Sequence, residues 1–156
     1  MKVSAALAGG LAGTLTVASL HEALKRVAHD APRMDLLDMA LIRKGLKGMN
    51  KRVPKEDELQ RWAVAGELVC DTTYYSMAGM GDKKGVWLRA ALLGLAAGVS
   101  AVILPEPLGL PKESSNKTSG TQLMTVGLYL MGGLMTAAIT ELVDNAQNNN
   151  ENKQFA

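Results

Sequence analysis

The sequence predicts an all-α, polytopic membrane protein with four transmembrane helices in two hairpins and a short amphipathic helix on the cytoplasmic side. Two observations carry that expectation. The first is three uncharged runs: residues 3–20 over 18 positions, 90–105 over 16, and 118–140 over 23. Crossing a hydrocarbon core of roughly 30 Å takes about 20 mostly apolar residues, so each run is of spanning length or close to it. The second is the material between them, where prolines, glycines and charges cluster into recognisable turns. At 156 residues the chain suits one compact domain, taken as 1–144, followed by a polar tail, 145–156, expected to be flexible.

Helix one is expected over 3–28. Its apolar part is longer than the core of a typical cleaved signal, and His21-Glu22-Ala-Leu-Lys-Arg follows in place of a clean small-x-small site, so it is read as retained. Asp30-Ala-Pro then starts an interfacial helix over 33–47 in which Leu37, Ala40 and Leu41 share a face. Pro54 opens helix two, 56–79, with Glu56, Asp57 and Glu58 in its first turn, where acids complement the helix dipole. Residues 79–85, GMGDKKG, turn the chain into helix three, 86–104, which ends at PEPLGLP. The linker KESSNKTSG leads to helix four, 121–144.

Lys and Arg counts orient the chain. The two longer connections hold twelve and the other side five, which places both connections in the cytoplasm, in a bacterial inner membrane. Lys44, Lys47, Lys51, Arg52 and Lys55 would lie against anionic lipid headgroups there.

Helices one and three match at an offset of 85: AALAGGLAG (5–13) lies over AALLGLAAG (90–98), pairing Gly9 with Gly94 and Gly13 with Gly98. The match reads either as a repeat of two hairpins or as two glycine-rich helices drawn from a small alphabet. Either way Gly9, Gly13, Gly94 and Gly98, with Gly133 of helix four, are the expected points of close helix crossing or of contact with a partner helix, because small residues supply packing energy in lipid.

Helix two is the least hydrophobic. Glu67 and Asp71 lie one turn apart, and an acid near the centre of a span costs on the order of 2.5–3.5 kcal/mol on insertion scales. Projected at 100° per residue, Gln60, Ala63, Glu67, Asp71, Tyr74 and Ala78 form one stripe that should face away from lipid. Asp71 and Glu67, with Tyr74 as a hydrogen-bonding neighbour, are therefore candidates for a proton or cation site. The alternatives are carboxylates that lock helix packing, or a half-submerged helix whose acids are wet. His21, in line with Ala6, Gly10 and Val17, is a further candidate for this site or for a pigment ligand, with a satisfied interfacial histidine the simpler reading.

The remaining classes are narrowed by what is missing from the pattern. A net charge of +2 does not suit a nucleic-acid partner. One cysteine, Cys70, excludes an intramolecular disulfide, and with His21 and His29 it makes no zinc set. No nucleophile–base pair or phosphate loop points to an enzyme, and no pattern identifies a cofactor. The expected function is a structural or accessory subunit of a larger membrane complex, bound to lipid and to other subunits or a second copy. The alternative is a small proton- or cation-coupled transporter or channel.

Overall fold

The computed structural model describes residues 1–111 and 113–154; Lys112 of the basic count and Phe155 and Ala156 of the tail lie outside the described residues. Among the described residues the chain is all-helical: α1 (Val3–Val27), α2 (Met34–Gly48), α3 (Glu56–Ser76), α4 (Val86–Ile103), α5 (Glu113–Asn116) and α6 (Ser119–Gln154), with two 3-10 turns between α3 and α4. Three helical segments are long and apolar enough to cross a membrane: Val3–Val27, Lys83–Ile103 and Ser119–Lys153. These make the chain an integral membrane protein by length and composition. α3 falls outside that set, although it runs alongside α1.

The packing is inverted relative to a water-soluble bundle. α1 turns Ala5, Ala6, Gly9, Gly10, Gly13 and Thr14 inward while Leu7, Leu11 and Leu15 stay exposed. α4 does the same, burying Ala90, Gly94 and Gly98 and exposing Leu88, Leu92, Leu95 and Val99. In lipid an exposed leucine costs nothing, so close contact at small residues decides which face turns inward.

α6 sits between α1 and α4, and both glycine series pack on it. A methyl group added at Gly9 would approach the Thr136 carbonyl to 2.6 Å, and one at Gly13 the Gly132 carbonyl to 2.6 Å. On the other flank, a methyl at Gly94 would reach the Tyr129 carbonyl at 2.6 Å and one at Gly98 the Val126 Cα at 2.7 Å. Gly133 of α6 lies against the Ala90 carbonyl. Next to this seam, Gly10 opens the far side of α1 to Thr72 and Ser76 of α3. The two glycine-rich helices thus clasp a common third helix and do not cross each other. Both faces are occupied within the chain.

Polar groups close the ends. Arg89, the one charge between the apolar start of α4 and its uncharged run, donates from Nε to the Ala78 carbonyl at 2.9 Å and from a terminal nitrogen to the Asp82 carbonyl at 2.7 Å, fixing the α3–α4 turn. Ser115 donates to the Ala101 carbonyl at 2.6 Å, satisfying one of the last carbonyls of α4.

α6 continues helically through Gln154, ten residues past the point where the sequence ends helix four. Residues 145–154 hold no proline or glycine to stop a helix. The start of α1 also ties the extension down: the Lys2 amide donates to Asp144 at 2.9 Å, Ser4 donates to Gln147 at 3.1 Å, and Lys2 pairs with Glu151.

Candidate functional site

α2 does not lie apart from the bundle. It packs antiparallel on the first half of α3, with Met39, Leu59 and Ala63 forming a buried cluster flanked by Ile42 and Val53. The apolar face expected on α2 divides: Met34, Leu37 and Met39 are buried, whereas Leu41 is 52% exposed. That rotation aims Asp38 at α3. Asp38, Leu41 and Ile42 of α2 then share a cavity of about 300 Å³ with Ala63, Glu67, Cys70 and Asp71 of α3 and with Tyr129 of α6.

Three half-buried carboxylates from two helices therefore converge on one open-mouthed cavity. Glu67 and Asp71 are consecutive turns of one helix face, about 6 Å apart along the axis. None of the three has an ion pair or hydrogen bond within the described residues, and Asp71 Oδ2 is fully buried with no partner. The nearest basic side chain on α1, Lys25, is already engaged by Glu22 at 2.8 Å and Asp35 at 3.8 Å. Burial pushes the Asp38 carboxyl up to about 7, and the Glu67, Asp71 and Asp35 carboxylates push it in the same direction. Below neutral pH the pocket thus retains a proton on a group that ordinarily ionises near 4.

No set of three or more His, Cys, Asp or Glu side chains is arranged to hold a metal ion among the described residues. The chemistry open to the cavity is reversible protonation, or neutralisation by a cation that keeps its own water.

Of the other candidate residues, Tyr74 is not in the cavity lining, and its hydroxyl donates to the Leu93 carbonyl of α4 at 2.9 Å. Its neighbour Tyr75 is the fully buried tyrosine and donates to the Tyr129 carbonyl of α6 at 2.8 Å. The wheel projection missed it because α3 meets both α1 and α6, which rotates the buried arc toward Leu59, Ala63 and Tyr75. His21 is away from the cavity lining. Its Nε2 sits 2.8 Å from the Pro32 carbonyl and 3.3 Å from the Met34 amide, so it anchors the start of α2. Lys44, Lys47, Lys51, Arg52 and Lys55 are all exposed along the end of α2 and the connection to α3.

Sequence reasoning missed Asp38. One signal pointed to it: Asp38 precedes Leu41 and Ile42 by three and four residues, placing an acid on an apolar helix face. Comparison with known proteins returns no significant match to any family model, curated protein or solved structure.

Proposed function

We propose that this chain is a small proton-handling membrane protein, a transporter or channel, in which Asp38, Glu67 and Asp71 take up and release protons. The observation that carries this reading is the convergence of three carboxylates without a cation, one of whose oxygens is buried and unpartnered. Closely spaced buried acids resist joint ionisation, so a proton is retained until a conformational change or a counter-charge releases it. In this reading α3 is a fourth span, carried across by its contact with α1. α2 lies at the cytoplasmic surface, and both longer connections face the cytoplasm across a bacterial inner membrane. The Lys and Arg distribution supports that orientation.

The test is proton flux. Purified protein in liposomes with an internal pH indicator should pass protons when a potassium diffusion potential is imposed. Asp71→Asn should lower that flux at least tenfold. Proteoliposomes as proton-tight as empty vesicles would overturn the reading.

A second reading, an accessory subunit of a larger complex, is supported by the outer face of α3. An open groove of about 600 Å³ there is lined by Asp57, Gln60, Arg61, Val64, Ala65 and Leu68, an apolar strip with a polar end that another subunit would cover in lipid. Under this reading flux is absent, and a defined partner seated on Val64, Ala65 and Leu68 co-purifies in mild detergent and is lost on Ala65→Trp.

A further inference from the structure

The basic residues at the end of α2 are not one uniform surface. Arg43, Lys44 and Lys47 form one wall of a groove of about 250 Å³, and Gly109, Leu110 and Pro111 form the other. No carboxylate lines it. Ala40, Leu110 and Pro111 are its apolar members, and Arg43 is paired from outside with Glu56 at 2.8 Å. Lys44 donates to the Leu108 carbonyl and lies over Gly109, whose φ of +60° lets the turn close beneath it. Lys47 is exposed and makes no ion pair among the described residues.

Position gives this groove its meaning. The α4 span ends at Ile103, and the turn supplying the second wall follows directly, so the groove lies at the level where the span leaves the hydrocarbon. Leu108, whose carbonyl Lys44 holds, is exposed next to it, and Ile103 and Leu104 are exposed at the end of the span. A cationic wall facing Ala40, Leu110 and Pro111, at the end of a span with exposed leucines, matches a phosphate joined to an acyl chain. Lysine ammoniums act on phosphate as point charges and also donate hydrogen bonds.

We propose that this groove is a binding site for the phosphate headgroup of an anionic phospholipid, with one acyl chain laid along Ile103, Leu104 and Leu108. Lys51, Arg52 and Lys55 lie outside it and supply only general attraction to a negative surface.

The experiment is native mass spectrometry of the full chain from mixed micelles of phosphatidylglycerol and phosphatidylcholine, titrated to give the affinity of the first lipid retained. Wild-type protein should keep one phosphatidylglycerol in preference to phosphatidylcholine. Lys44→Gln/Lys47→Gln should weaken it by about tenfold or more, the loss expected for a charged hydrogen bond to phosphate. Lys47→Gln alone, which disturbs no contact in the protein, should give a smaller loss in the same direction. Lys51→Gln/Arg52→Gln/Lys55→Gln should leave the preference in place. Equal loss in that triple variant would overturn the site in favour of diffuse attraction. Equal retention of the two lipids, or displacement of phosphatidylglycerol by millimolar inorganic phosphate, would overturn it as well.

Discussion

Asp38→Asn is expected to stabilise the protein above pH 7 and to leave it unchanged near pH 4. The reasoning starts from a carboxyl whose value rises from 3.8 to about 7 on folding. Between those two values the unfolded chain is ionised and the folded one is not, so the unfolded state binds fewer protons and stability falls as pH rises. The stabilisation is fully present below the unfolded value, is lost progressively as pH climbs toward 7, and is constant beyond. At about 1.4 kcal/mol per pK unit the loss has a ceiling of about 4 kcal/mol. Water at the mouth of the cavity screens part of it, leaving about 2–4 kcal/mol. Asparagine fills the same space without titrating, so the variant avoids that loss. The assay is thermal unfolding in mild detergent from pH 4 to pH 8.5, followed by the fluorescence of Trp62 and Trp87. The variant's advantage at pH 8.5 should be about 5–15 °C, on the scale of 2–4 °C per kcal/mol for a chain of this size. An advantage of the same size at pH 4 and pH 8.5 would refute the reasoning, because it would show that Asp38 does not titrate against its neighbours.

Two further outcomes test the packing. Gly94→Ala should cost about 1–3 kcal/mol, since the added methyl meets the Tyr129 carbonyl at 2.6 Å and Leu130 Cα at 2.9 Å, backbone atoms that cannot rotate aside. Gly66→Ala, with nothing within 4 Å, should instead gain about 0.5–1 kcal/mol from helix propensity; both changes are read from melting temperature in detergent. His21→Ala should free the segment before α2, where the Pro32 carbonyl or the Met34 amide, according to the tautomer, loses Nε2 as its partner at a cost of about 1–3 kcal/mol. Hydrogen exchange should then accelerate over residues 28–34 while α4 stays protected, and equal acceleration throughout would count against a local anchor.

Much of the architecture is readable from the chain because a bilayer imposes local rules. Runs without charge mark α1, α4 and α6, and glycines at every fourth position mark faces where backbones can meet. Glu67 and Asp71 stand out by contrast, as acids one turn apart on a helix that runs alongside those apolar segments. The runs, the glycine spacing and the paired acids are properties of consecutive residues, and no knowledge of neighbours is needed to see them.

Which surfaces meet is a different matter. That Gly9 and Gly94 lie on opposite flanks of α6 depends on the relative placement of three helices, and a matching pattern in two of them does not say whether they touch each other or a third. The helical continuation of α6 rests on contacts with Lys2 and Ser4, at the opposite end of the chain. Tyr75 is buried in place of Tyr74 because α3 faces two partners, which turns its inner arc by about one residue. Asp38 joins Glu67 and Asp71 only because α2 folds back on α3, across a turn that His21 holds from α1. The sequence alone determined that the chain has helices fit to cross a membrane and that α3 beside them carries two acids one turn apart. Only the tertiary structure decided that a third acid from another helix shares their cavity, because that convergence depends on long-range packing that no helical periodicity encodes.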